Sequence, residues 1–141
     1  MSRITRLLST SVLSIGLAAF AGCESDGKYP VSGSITWEGA PIPADHNGYV
    51  TLTPVDGSSA PDSGPIVDSK FDFRASPGEK KVEIMITRPH GEVVEAMGAA
   101  PHRQYIPTRY NEESDLTATV ESKSNDFQFD LVSQKGDTVI E

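Results

Sequence analysis

The sequence predicts an all-β domain, a sandwich of about seven strands behind an N-terminal export signal. Three observations carry that expectation. From Tyr29 onward, apolar residues recur at every second position in short runs, which is the period of a half-buried strand. Stretches rich in Gly, Pro, Asn and Asp separate the runs, and these residues supply turn conformations. No segment of helix length repeats its apolar residues at the helical spacing of about 3.6.

The first run places Val31, Ile35 and Trp37 on one face, and Glu38-Gly39-Ala40-Pro41 ends it. After a break at Asp45-His46-Asn47-Gly48, Val50 and Leu52 alternate with Tyr49, Thr51 and Thr53. That strand stops at Pro54, which cannot donate a ladder hydrogen bond. Residues Asp56 to Gly64 read as a polar loop. Phe71 and Phe73 then alternate with Asp72 and Arg74, and Ser76-Pro77-Gly78 leads into Val82, Ile84 and Ile86. The Pro-Gly turn predicts a hairpin between those two runs. Near the C-terminus Leu116, Ala118 and Val120 form another run, followed by Ser124-Asn125-Asp126 and then Phe127, Phe129 and Leu131, a second predicted hairpin. The sixteen inward positions give a core adequate for a domain of about 100 residues if two sheets face each other. The last residues, Thr138-Val139-Ile140, read as a short strand or tail.

The N-terminal segment reads as a secretory signal. Arg3 and Arg6 precede an apolar run from Leu7 to Ala21, interrupted by Ser9, Thr10, Ser11 and Ser14 and ending in small residues. It is shorter and more broken than the roughly 20 apolar residues of a spanning helix. Two cleavage sites compete: Ala19-Phe20-Ala21 suits ordinary release before Gly22, whereas Phe20-Ala21-Gly22-Cys23 resembles a bacterial lipobox, cut before Cys23. That resemblance implies residues 1–22 as signal peptide and Cys23 as the lipidated residue. The resemblance further implies a lipoprotein of the cell envelope, anchored to the membrane through its N-terminal lipid and facing away from the cytoplasm. One buried chain binds marginally, at about 0.8 kcal/mol per methylene, and two or three hold stably. Residues 23–28 read as a tether and residues 29–141 as the domain.

Further motifs carry a family resemblance. Val31-Ser32-Gly33-Ser34-Ile35, Gly39-Ala40-Pro41-Ile42, Phe71-Asp72-Phe73 and Pro77 to Ile84 resemble the carboxypeptidase regulatory-like, transthyretin-like (prealbumin-like) β-sandwich. Tyr105-Ile106-Pro107-Thr108-Arg109-Tyr110-Asn111, with Leu116 to Val120 and Asn125 to Phe129, resembles the small planctomycetal lipoproteins that carry this domain. The resemblance implies a seven-stranded Greek-key sandwich on the bacterial cell envelope and a non-catalytic accessory or binding role. It implies no particular ligand.

The connection from Arg88 to Asp115 is longer than a hairpin loop needs, and loops of this size are often functional. It is stiffened by Pro89, Pro101 and Pro107 and gathers His90, His102, Arg103, Tyr105, Arg109 and Tyr110. Arginine offers planar bidentate donors and tyrosine flat amphipathic faces, a combination suited to an envelope glycan, a carboxylate or an exported protein. The competing reading has Tyr105, Ile106 and Tyr110 folding back over a sheet edge, with Arg109 paired to an acid. Asn111 to Ser114 reads as one capped turn.

Composition narrows the partners. The chain of 141 residues carries 12 basic and 20 acidic residues, and removal of the first 22 leaves 10 basic and 20 acidic, a net charge of −10. That balance argues against nucleic acid and anionic membrane surfaces. A single cysteine excludes an internal disulfide framework. His46, His90 and His102 show no ligand spacing, and the acidic groups at Asp56/Asp62/Asp68 and Glu112/Glu113/Asp115 match no calcium loop, so no metal or other cofactor is expected. Nor is there a nucleophile elbow, a phosphate loop or a glycine-rich dinucleotide loop, and a catalytic role is not expected. A purely structural envelope component, or a freely secreted sandwich, is the alternative to a binding module.

Overall fold

The computed structural model describes residues 26–138, so the signal segment, Cys23 and the last three residues lie outside the described residues. The fold is all-β, with nine strands: β1 Tyr29–Trp37, β2 Ala40–Pro41, β3 Asn47–Pro54, β4 Asp62–Val67, β5 Lys70–Ala75, β6 Gly78–Pro89, β7 His102–Gln104, β8 Thr117–Val120 and β9 Asn125–Leu131. Among the described residues a single 3-10 turn spans Thr108–Tyr110. Seven strands have four residues or more; β2 and β7 are short additions.

The strands form one curled sheet along the path β2-β1-β5-β4-β3-β6-β7, with β8 also on β6 and β9 also on β1. Every pairing is antiparallel except β1 with β9, which is parallel over all seven residues of β9. Two short turns bend the chain back on itself. Glu38-Gly39 closes the pair Trp37↔Ala40 and Asp68-Ser69 closes Val67↔Lys70, and all four residues have positive φ. Two consecutive left-handed residues match the strand twist at a two-residue hairpin. Ser69 lacks the freedom of glycine there, and its side chain compensates: Oγ accepts from Ile42 N at 2.7 Å, and Ser69 O accepts from Ile35 N at 2.8 Å.

The core follows the alternation. Val31, Ile35, Val50, Leu52, Phe71, Val82, Ile84, Ile86, Val120 and Leu131 are buried, and Trp37, Phe73, Leu116, Ala118, Phe127 and Phe129 pack against them. Ile42, Ile66, Ala75, Ile106 and Tyr110 complete the buried set. Two glycines make room for rings. A Cβ on Gly33 would lie well inside contact distance of the Phe71 ring and of the Phe127 carbonyl oxygen. One on Gly64 would sit 2.5 Å from the Phe73 ring.

Three sequence expectations are corrected. Asp62 to Gly64 begin β4 rather than ending a loop. The Pro77-Gly78 turn does not make a hairpin, because β5 pairs with β1 and β4 while β6 pairs with β3, β7 and β8. The C-terminal pair is also no hairpin: β8 lies on β6 and β9 on β1. There Asn125 takes the backbone groups of the connecting turn onto its own side chain. Its Oδ1 accepts from Glu121 N at 2.8 Å, and its Nδ2 donates to Lys123 O at 2.7 Å and Glu121 O at 3.1 Å.

One end of the domain is held by a polar network. Lys80 is fully buried on β6 and its Nζ donates to Ser76 Oγ at 2.7 Å. Ser76 in turn donates to Asp62 Oδ2 from N at 2.8 Å and from Oγ at 3.0 Å, and Asp62 Oδ1 pairs with Lys28 Nζ at 2.6 Å. Burial works to raise the Asp62 carboxyl pKa, but Lys28 and the two Ser76 donors outweigh it and hold it below the ordinary value. Asp62 in turn raises the pKa of Lys28. Arg74 pairs with Asp26 at 2.8 Å and also donates to Lys28 O. The segment expected to be a loose tether is thus fastened to the domain from Asp26 onward.

Candidate functional site

Strand directions place the two ends of the domain. Tyr29 pairs with Ala75, beside the start of β6 at Gly78, whereas the segment Arg88 to Asp115 leaves from the other end of β6. β6 is twelve residues long, so its ends are roughly 36 Å apart at about 3.3 Å per step. The fastened N-terminal residues and the Arg88–Arg103 stretch therefore lie at opposite ends, while the later part of the segment runs back along β6, where Ser114 Oγ donates to Val82 O at 2.5 Å.

The segment divides into an outward half and an inward half. In the outward half, β7 pairs with the end of β6 so that Arg88 faces Arg103 and Pro89 faces His102. His90, His102 and Arg103 are exposed, and the ring of His102 reaches only Thr87 Oγ1, at 3.4 Å from Nδ1. Like charges directly opposite in a ladder repel. Among the described residues no carboxylate lies within 4.0 Å of either guanidinium. Between the two strands, residues 91–100 form a small projecting excursion, closed by Val94 N to Ala99 O at 3.1 Å, which exposes Val93 and Met97.

The inward half covers the core. Ile106 is fully buried and Tyr110 nearly so. The Tyr105 ring packs edge-on against Trp37 and His46, with centroids 6.2 and 4.3 Å apart, and the Tyr110 ring meets Trp37 at 6.4 Å. Tyr110 Oη donates to Val132 O at 2.8 Å and accepts from Val132 N at 3.0 Å. It also accepts from Arg109 at 2.6 Å. Arg109 lies over the Tyr110 ring at 4.3 Å and pairs with Asp137 at 2.8 Å, so its charge is already answered. Asn111 opens the turn expected there, its Oδ1 accepting from Glu112 N at 2.6 Å.

The six candidate residues are therefore not one cluster. His90, His102 and Arg103 face solvent with Arg88, while Tyr105, Arg109 and Tyr110 are committed to packing and to the C-terminal tail. Arg88 joins the exposed group, although the sequence marked it only as the start of the segment. Its signal was its position one residue before Pro89 at the end of a strand, which becomes meaningful only once β7 pairs there. His46 stands apart from the other imidazoles, half-buried with Nδ1 against Asp45 at 2.8 Å. Among the described residues no three potential metal-ligating side chains come together, and no helix is long and apolar enough to cross a membrane.

The chain matches no known protein family, no curated protein and no solved structure.

Proposed function

We propose that this protein is a non-catalytic, exported lipoprotein of the cell envelope, anchored through acylated Cys23, whose domain is a binding module. Its curled sheet is read as a Greek-key sandwich of the transthyretin-like kind, a reading supported by the seven longer strands and by the sixteen apolar positions that share one interior. The opposition of the two ends carries the functional reading. Only Glu24 and Ser25 separate Cys23 from Asp26, a reach of at most about 11 Å. An anchor there sets the Lys28–Asp62 end on the membrane and turns Arg88, His90, His102 and Arg103 towards the surroundings.

The partner that suits this end carries acidic groups, as an envelope glycan or an exported protein does. Two opposed guanidiniums on a chain of net charge −10 after signal removal form a local exception to the protein's acidity, and arginine forks donate bidentately to carboxylate or phosphate. The test is retention of the mature chain on envelope material isolated from its host. Retention that falls with rising salt, and is lost in Arg88→Glu/Arg103→Glu with an unchanged melting temperature, is the expected result. Equal retention of wild type and variant contradicts the reading.

A second reading is favoured by the inward half, where Tyr105, Ile106 and Tyr110 close the core. In that reading the whole segment is a structural cover, and the protein is an envelope component without a discrete ligand site.

A further inference from the structure

We infer that the free edge of β9 is a docking site for an extended segment of another protein, one that alternates basic and apolar residues. The inference does not depend on the role of the Arg88–Asp115 segment.

β9 pairs with β1 alone among the described residues. Leu131 O accepts from Glu38 N, in continuation of β1, so the odd-numbered residues of β9 turn their backbone groups to β1. In a parallel pair these groups alternate from side to side. The N–H and C=O groups of Asp126, Gln128 and Asp130 consequently project along the open side. An unpaired row of this kind is a template for an added strand.

The side chains state which strand fits. Asp126, Gln128 and Asp130 are exposed on one face of β9. Their neighbours on β1 are hydroxyls: Ser32 Oγ donates to Asp126 Oδ1 at 3.4 Å and Thr36 Oγ1 to Asp130 Oδ1 at 2.6 Å. No cation lies within 4.0 Å of either carboxylate among the described residues. On the other face Phe127 and Phe129 stack at 6.2 Å, and Phe129 stacks on Phe71 at 6.0 Å, yet both β9 rings remain only half-buried. A strand laid on this edge would set its basic residues against Asp126 and Asp130 and its apolar residues over the two rings.

The same charges work against a second copy of this chain in the centred register. Antiparallel pairing of two β9 edges about Gln128 would set Asp126 of each copy against Asp130 of the other, and like charges directly opposed are unfavourable. Two other usual blocks to pairing are missing, since residues 125–131 contain no Lys and no Pro. It repels itself and admits a basic strand.

The test uses the mature chain and the capped peptide Thr-Lys-Val-Thr-Val-Lys-Thr, with Glu replacing Lys in a control peptide. In the free protein, amide exchange should be fast at Asp126, Gln128 and Asp130 and slow at Phe127 and Phe129. The Lys peptide should slow the first three, and the Glu peptide should not. Gln128→Pro removes a donor from the open side while sparing the β1 ladder, and should abolish peptide binding. Should that variant fail to fold, Asp126→Lys/Asp130→Lys should weaken binding of the Lys peptide at least tenfold and favour the Glu peptide. Four results would overturn the inference: slow exchange at all five amides in the free chain, no binding of the Lys peptide, equal binding of the two peptides, or a self-association that consumes the edge.

Discussion

Replacing Tyr110 by phenylalanine deletes one oxygen from the inward half of the Arg88–Asp115 segment and leaves the buried ring in place. That oxygen exchanges two hydrogen bonds with the backbone of Val132, at 2.8 and 3.0 Å, and accepts a third from Arg109 at 2.6 Å. Leaving a buried backbone group unpaired costs about 1–3 kcal/mol. Val132 is 44% exposed, so water recovers part of that loss. The lower part of the range applies, and a total of about 1.5–2 kcal/mol follows. For a domain of this size about 1 kcal/mol lowers the melting temperature by about 3–6 °C, which gives a fall of about 5–12 °C. The assay is urea unfolding followed by the fluorescence of Trp37, the sole tryptophan, whose ring lies 6.4 Å from that of Tyr110. The slope with denaturant should stay constant while the midpoint drops. A midpoint unchanged to within about 0.3 kcal/mol would refute the assignment of Tyr110 as a clamp between this segment and the C-terminal tail.

Two further outcomes concern the sheet itself. Asp62→Asn should cost about 2–3 kcal/mol at pH 7, because it removes the charge that answers Lys28 and Ser76 in a buried place. Since the folded carboxyl titrates below its ordinary value of 3.8, its contribution is complete above that value and disappears as the pH falls through the folded pKa. The gap between wild type and Asp62→Asn should therefore close in acid, and a constant gap down to pH 2 would contradict the pairing. Gly33→Ala should destabilise by about 3 kcal/mol or more, because the Phe127 carbonyl cannot retreat without breaking the β1–β9 ladder. Chemical denaturation decides this, and a loss under about 1 kcal/mol would show that the strands can part there.

The faces of the strands were legible in the sequence, while their partners were not. Alternation reports which side chains turn inward, and all sixteen such positions lie in or against the core. It says nothing about which edge meets which edge. Ser76-Pro77-Gly78 and Ser124-Asn125-Asp126 therefore read as hairpin turns, although both lie between strands that never pair. β4 escaped notice because two of its three inward positions are Asp62 and Gly64. One serves a buried charge network and the other leaves space for Phe73, and neither adds to an apolar period. Ile42 and Ile106 are single apolar residues beside prolines, so no period marks them as core. At the candidate site, length and composition identified the segment. The division between Tyr110, clamped to Val132, and Arg103, opposed to Arg88, depends on strand pairing alone.

The intact mass of the mature protein, extracted with detergent from the membrane fraction of its native host and joined to N-terminal peptide mapping, tests the account most directly. The expected chain begins at Cys23 and carries the added mass of a diacylglycerol, with or without a further acyl chain on its amine. A chain that begins at Gly22 with an unmodified thiol would contradict the account.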